Sequence, residues 1–259
     1  MVLVTAVTGG ILSIYCISTA RHYGHLLNAG HEPDGACLAR ALRMALATSI
    51  VSIICADVPA RDGPAAGRCR APDWPACSAV FLATVVFAGI GFRHGLTLKC
   101  VSVGIVTAVL VQLSLIDMRT RLLPDALTQP LLWSGLLSAW MAAVAGPVAD
   151  AAAGTVLADC VAGIVAGYGL LALPAWWWRW RGKPDAVGRG DIKLLAALGA
   201  WLGPVGVLHA LTIASVAGVL FAVAHQRRWR PVGSYPFGPF IAVGGMAEFL
   251  HAPGVQSWF

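Results

Sequence analysis

The chain has 259 residues, of which 58% are hydrophobic and only 12% are charged. Soluble domains carry about 25% charged residues, so this composition excludes a soluble globular protein and predicts an all-α, polytopic transmembrane helix bundle. The net charge of +6 does not indicate nucleic-acid binding, because the Lys and Arg residues stand in short clusters between apolar runs, as in the cytoplasmic loops of membrane proteins.

The apolar stretches predict a bundle of roughly eight membrane segments, since a spanning helix needs about 20 apolar residues. The first stretch lacks a basic n-region and a cleavage site, which favours a retained helix over a signal peptide. Gly203-Pro204 is expected to break one long stretch into two short helices. In chain order the candidates are 2–20, 42–60, 78–96, 100–117, 126–145, 154–176, 191–203, 205–224 and 237–252.

The basic clusters predict the orientation of the bundle. They lie at 119–121, 179–189 and 227–230, whereas the connections 146–153 and 203–206 contain no Lys or Arg. Because basic loops remain in the cytoplasm, we expect a multi-pass protein of the bacterial inner membrane whose three basic loops face the cytoplasm.

The N-terminal region, 1–77, is predicted to be distinct from the membrane domain at 78–259. If both basic loops of the N-terminal region are cytoplasmic, segment 42–60 dips into the membrane or lies flat. If 21–41 is outside, the N-terminus is inside. The seven cysteines form no C-x-x-C pair and are interpreted as small buried residues, so no metal site is predicted; His22 and His25 are interpreted as interfacial residues.

Two acidic residues stand at the ends of apolar runs that the charge pattern places on the same side of the membrane. Asp117 follows Leu115-Ile116, and Asp191 opens a second apolar run. An ionisable residue at the membrane edge is costly and indicates function. Two carboxylates that share a site cannot both ionise easily, so the pair retains one proton near neutral pH. Such a pair suits peptide hydrolysis.

Each acidic residue also has a structural interpretation. Asp191 follows a glycine and can be the N-cap of its helix, and Asp117 can pair with Arg119 or Arg121 at the interface. Under the catalytic interpretation, Gly188 and Gly190 would permit positive φ angles and leave no side chain beside the Asp191 carboxylate.

The remaining candidates have simpler interpretations. Asp125 follows Pro124 and is interpreted as the N-cap of the next helix. Lys193 is expected to extend towards the lipid head groups. The tryptophans at 176–178 and 180 are typical of an aromatic belt at the membrane interface.

Three segments resemble one known family. Ile116-Asp-Met-Arg-Thr-Arg-Leu-Leu-Pro-Asp125 with its flank to Gly135 resembles the first catalytic motif of the type IV prepilin peptidases, and 188–203 resembles their G-x-G-D motif. Pro236-Phe-Gly-Pro-Phe240 is similar to the start of their last helix. The likeness covers roughly 78–252, in the order of the family.

The resemblance implies an aspartyl endopeptidase with Asp117 and Asp191 as the catalytic pair. Gly188, Gly190, Lys193 and Asp125 would support the site or the approach of substrate. The substrates implied are prepilins or the pseudopilins of type II secretion, cut after a glycine that ends a short basic leader at the cytoplasmic face. Proteolysis would need no cofactor, and the other partner is the lipid bilayer.

Many members of this family also methylate the new N-terminus with S-adenosylmethionine, and carry two C-x-x-C pairs that bind zinc. Residues 21–77 hold only isolated cysteines, and a Gly-Ser-Phe-x-Asn segment is missing near the first helix. S-adenosylmethionine is therefore implied only if methylation is retained.

Three other functions remain open at this point. A proton- or cation-coupled transporter would use the aspartates as ion ligands, but predicts acids at mid-span and inverted repeats. A noncatalytic assembly protein would not need both aspartates. Other G-x-G-D intramembrane proteases usually show Tyr-Asp at the first aspartate and Pro-Ala-Leu near the end, whereas this chain has Ile-Asp and Phe-Gly-Pro-Phe.

Overall fold

The regular structure of the chain is helical. The computed structural model describes residues 2–54, 85–90, 92, 98–145, 153–183, 187–226 and 235–251. The absence of strands within these ranges confirms the predicted all-α class. Besides a helical stretch at 85–90, the helices are α1 (Val2–Asn28), α2 (Gly35–Ile54), α3 (Leu98–Thr120), α4 (Asp125–Ala145), α5 (Ala153–Trp180), α6 (Arg189–Gln226) and α7 (Gly238–His251).

Among the described residues, three helices are long and apolar enough to cross a bilayer. They lie at Val101–Thr120, Gly154–Trp180 and Arg189–His225, which makes the chain a membrane protein. The predicted count of about eight membrane segments is not confirmed among the described residues. Most of the predicted segment 78–96 lies outside them, so its span stays a prediction, as does the division at residue 77.

A kink divides α6 into two limbs. Gly203 has φ 69° and ψ −178° inside the helix, a conformation that glycine adopts without steric cost. The next residue, Pro204, has no amide hydrogen to continue the ladder. The predicted break at Gly203-Pro204 is thus confirmed. We refer to 189–202 as the first limb and to 204–226 as the second limb.

The two limbs of α6 pack closely against α5 and α7. A Cβ on Gly163 of α5 would collide with the carbonyl oxygen of Gly199 in the first limb, and one on Gly244 of α7 would collide with the carbonyl oxygen of Ala210 in the second. Gly245 of α7 also faces Leu198 of the first limb. Glycine therefore allows the backbones of α5 and α7 to approach α6, as in other membrane bundles.

Helix α3 occupies the interior of the bundle. In its most apolar window 61% of the residues are buried, against 22% in the windows of α5 and α6. It contacts α1, α4 and α7, and the side chains of Leu110, Leu113 and Ile116 are fully buried. The last turn of α3 consequently buries Asp117 among other helices.

We expect Gly163→Ala to lower the melting temperature of the purified protein in detergent. The added methyl group must displace the Gly199 backbone, and overpacking of this kind costs about 1–3 kcal/mol. The matched control is Gly154→Ala in the same helix, because nothing lies within 4 Å of a Cβ there. Equal melting of the two variants would contradict the close approach of α5 and α6.

Candidate active site

Asp117 lies in the last turn of α3 and is 3% exposed. Its Oδ2 atom accepts a hydrogen bond of 3.1 Å from the backbone amide of Gly238, the first residue of α7. The first amides of a helix have no partner within the helix, and the positive end of the helix dipole stabilises negative charge. The positive charge of Arg121 also acts on this carboxylate. Asp117 is thus a buried residue bound to α7, and the effect of Arg121 agrees with the interpretation that pairs it with a basic residue of the following loop.

Asp191 is the third residue of α6 and is 8% exposed. The carbonyl of Gly188 accepts the Ile192 amide at 3.4 Å, so Gly188 occupies the N-cap position. The Asp191 carboxylate accepts a hydrogen bond from the Gly188 backbone, as the acidic side chain of a capping box does. The interpretation of Asp191 as the N-cap itself is therefore wrong by three positions, although its side chain does stabilise this helix end.

The two carboxylates are close enough for the charge of Asp117 to act on Asp191. The Oδ1 atom of Asp191 is buried without a hydrogen-bond partner among the described residues. A buried polar atom normally has a partner, which a water molecule or a substrate group can supply here. The interaction of the two carboxylates agrees with the predicted convergence of two acids from distant segments, and the catalytic role of the pair stays a prediction.

Two glycines near Asp191 have close neighbours. A Cβ on Gly190 would lie 2.9 Å from the Cβ of Leu123, in the loop that follows α3, and a Cβ on Gly188 would lie 3.0 Å from Asp191 Oδ2. Gly188 thus leaves the space beside the carboxylate without a side chain, as expected. Neither glycine adopts the positive φ angle that its lack of a side chain permits. Arg121, which follows the last residue of α3, has the left-handed backbone conformation with φ 55°.

Lys193 and Asp125 form an ion pair that joins α6 to α4. The Nζ atom of Lys193 lies 2.7 Å from both carboxylate oxygens of Asp125. The N-cap position of α4 belongs to Pro124, whose carbonyl accepts the Thr128 amide at 3.4 Å, so the interpretation of Asp125 as the N-cap is wrong. The extension of Lys193 towards the head groups stays a prediction. Because both side chains are about half exposed, the pair contributes at most about 1 kcal/mol and mainly orients the two helix ends.

Two features of this region were not predicted from the sequence. The Gly238 amide is a direct partner of Asp117, and the only signal for it was the Pro-Phe-Gly-Pro-Phe motif around it. In addition, a cavity of about 300 Å³ borders the loop after α3, with Tyr23, Asp34 and Leu122 in its wall. The Tyr23 hydroxyl is fully buried and has no hydrogen-bond partner in the described part of the chain.

No group of three or more potential metal ligands occurs among the described residues. Cys16, Cys37 and Cys160 are buried, which agrees with their interpretation as small apolar residues. Cys55, Cys69 and Cys77 lie outside the described residues, so the predictions concerning zinc and S-adenosylmethionine stay predictions.

Four helix ends thus meet around two buried carboxylates, which defines a membrane-embedded helical protein with an aspartate pair. Residues 104–223 match the profile of the Type IV leader peptidase family. The match includes both aspartates. Residues 104–223 therefore form a domain of the type IV leader peptidase family.

Three similar curated proteins bear the name prepilin leader peptidase/N-methyltransferase. The protein of Aeromonas hydrophila is 32% identical over 202 residues, which are 74% of this chain and 65% of that protein. The protein of Escherichia coli (strain K12) is 42% identical over 148 residues, 56% of this chain and 59% of that protein. The protein of Burkholderia pseudomallei (strain 1026b) is 41% identical over 148 residues, which are 55% of this chain and 44% of that protein.

The matched region spans from about two fifths to two thirds of the length of these relatives. No solved structure gives a significant match to the chain.

We expect Gly238→Ala to destabilise the protein through Asp117, because the added Cβ would lie 2.7 Å from Asp117 Oδ2. The test is a double-mutant cycle with Asp117→Ala, measured by unfolding in detergent. Contacting residues couple by about 0.5–3 kcal/mol, so the double variant is expected to lose less stability than the sum of the single variants. Simple additivity would contradict the contact between α3 and α7.

Proposed function

We propose that the chain is a membrane aspartyl endopeptidase that removes the short basic leader from type IV prepilins or type II secretion pseudopilins. The observation that carries the proposal is the buried Asp117–Asp191 pair. The family match across both residues and the names of the relatives support the same activity. Neither the match nor the relatives support the alternative of a transporter.

In the proposed reaction the two aspartates share one proton around a water molecule. The ionised carboxylate takes a proton from the water as it attacks the scissile carbonyl, while the protonated carboxyl group donates a hydrogen bond to the carbonyl oxygen. Collapse of the intermediate transfers a proton to the departing amine. Because the carboxylates interact, the proton belongs to the pair and not to one residue.

The surroundings of the pair suit this chemistry. The unpartnered Oδ1 atom of Asp191 is an acceptor for the attacking water, and the amide of Gly238 stabilises the charge on Asp117. Gly188 leaves the solvent-facing side of Asp191 without a side chain, since its own backbone is exposed. The cavity beside the loop after α3 offers room for an extended stretch of substrate.

We further propose that the site opens to the cytoplasm from the inner membrane, within a bundle of about eight membrane segments. The basic clusters at 119–121, 179–189 and 227–230 support this orientation by the positive-inside rule. The ends of α3 and α5 and the start of α6 adjoin these clusters, so one side of the membrane would hold the whole site.

Asp117→Asn and Asp191→Asn are each expected to abolish cleavage of a prepilin in detergent or membranes. Asparagine retains the shape but cannot exchange the proton, and loss of acid–base catalysis costs about 10²–10⁴-fold in rate. Leader removal is followed by the mobility shift of the product on a gel.

The matched control for these variants is Asp159→Asn, which makes the same change at an exposed position of α5 and is expected to cleave at the normal rate. Normal processing by either Asp117→Asn or Asp191→Asn, in protein that inserts normally, would refute the assignment.

We expect the product to leave the enzyme unmethylated, because the paired cysteines of the bifunctional family members are missing from 21–77. Mass spectrometry of the cleaved pilin, with and without S-adenosylmethionine, measures this directly. A gain of one methyl group that requires S-adenosylmethionine would show that the second activity is retained.

A further inference from the structure

The cavity of about 300 Å³ beside the loop after α3 also borders the N-terminal region of the chain. We refer to it as the α1–α3 cavity. One wall comes from Tyr23 near the end of α1 and from 33–35, where the connection from α1 enters α2. The opposite wall is the segment 122–126, which joins α3 to α4. The cavity thus lies between two parts of the chain that are about 100 residues apart.

The α1–α3 cavity is at the same end of the bundle as the aspartate pair. A Cβ on Gly24 of α1 would lie 3.9 Å from the Cγ2 atom of Thr120, the last residue of α3. Leu123 lines the cavity, and a Cβ on Gly190 would lie 2.9 Å from the Cβ of Leu123. Because Gly190 directly precedes Asp191, a single side chain separates the cavity from the helix turn that carries the second aspartate.

The wall of the α1–α3 cavity is acidic. It contains the carboxylates of Asp34 and Asp125, and none of the described residues that line it is a Lys or an Arg. Asp125 is paired with Lys193 at 2.7 Å, so its charge is balanced. Asp34 is exposed and has no ion-pair partner among the described residues. The net negative charge of the wall therefore comes from Asp34.

The hydroxyl group of Tyr23 is a second polar group of this wall. The Tyr23 side chain is fully buried, and its hydroxyl has no hydrogen-bond partner in the described part of the chain. Burial raises the pKa of Tyr23 to about 12, and the charge of Asp34 acts in the same direction, so the phenol is neutral at physiological pH. A buried hydroxyl normally has a partner, and its oxygen can accept hydrogen bonds. The wall consequently suits a ligand that donates hydrogen bonds.

We propose that the α1–α3 cavity binds a Lys or Arg side chain of the substrate leader. The cationic group contacts the Asp34 carboxylate and the Tyr23 hydroxyl, and the aliphatic part of the side chain lies against Leu122 and Leu123. A cation with several N–H donors balances the carboxylate and satisfies the hydroxyl together, whereas an acidic or apolar side chain does neither. The proposal rests on the proposed function, because the ligand is the basic leader; Asp34 and Tyr23 select the substrate and take no part in bond cleavage.

Asp34 also has a local role that the test must separate from binding. It is the N-cap residue of α2, since its carbonyl accepts the Leu38 amide at 3.1 Å. Asparagine caps a helix as well as aspartate does. Asp34→Asn therefore removes the charge, retains the cap and is expected to leave the melting temperature unchanged.

The test is the binding of a fluorescent synthetic leader peptide that contains lysines to the detergent-purified full chain, measured by anisotropy. Asp34→Asn is expected to weaken this binding about three- to fivefold, as for loss of a partly exposed ion pair. A second peptide, with glutamine in place of the lysines, is expected to bind the wild type and Asp34→Asn equally. Equal binding of the lysine peptide by both proteins would overturn the site.

The matched control is Glu32→Gln, which removes the same charge two residues away. Glu32 is exposed and does not line the cavity, so this variant is expected to bind the lysine peptide with the affinity of the wild type. Equal loss of affinity in Glu32→Gln and Asp34→Asn would indicate general attraction between an acidic loop and a basic peptide, and would contradict a defined site.

Tyr23→Phe removes the hydroxyl and leaves every charge in place. It is expected to melt like the wild type, because the hydroxyl has no partner among the described residues, and to bind the lysine peptide about tenfold more weakly, because a hydrogen bond to a charged group is lost. Unchanged binding would contradict contact between the hydroxyl and the ligand.

Cleavage of a prepilin separates this proposal from the proposed function. Asp34→Asn is expected to raise KM for the prepilin without lowering kcat, because it removes binding alone. Cleavage by the wild type with the same KM in Asp34→Asn would overturn the leader site and leave the peptidase function intact. Binding that depends on the lysines and on Asp34, without any cleavage by the wild type, would support the site and contradict the peptidase function.

Discussion

The structure depends on one hydrogen bond between a buried carboxylate and the start of a distant helix. In the low-dielectric interior of a bundle, the charge of Asp117 would be prohibitively costly without a donor. The amide of Gly238 supplies that donor from the beginning of α7. The bond requires a glycine, because any side chain at this position would collide with the carboxylate. The position of α7 and the burial of Asp117 are therefore coupled.

The other contacts of the site converge on the same place. Leu123 in the loop after α3 packs on Gly190, and Lys193 joins the start of α6 to Asp125 at the start of α4. Each contact is modest by itself, but together they position the ends of four helices around Asp191. Helix α5 completes the arrangement through the close backbone contact of Gly163 with Gly199.

The sequence predicted the features that local patterns encode. An acidic residue next to an apolar run identified Asp117 and Asp191, and Gly203-Pro204 identified the kink in α6. The partners of Lys193 and Asp125 were not predictable, because these residues are 68 positions apart and either alone satisfies a common local role. The hydrogen bond from Gly238 to Asp117 was also not predictable. Nearly every residue has a backbone amide, and this amide has its role only because it lies at the start of α7.

The distance along the chain between Asp117 and Gly238 has a consequence for biogenesis. A ribosome must add 121 residues after Asp117 before its amide partner exists, and α7 must then pack against both limbs of α6. Until that moment the first aspartate is embedded without this donor, so the surroundings of the aspartate pair are completed only when α7 docks. Assembly of the bundle and acquisition of a finished site are thus the same event.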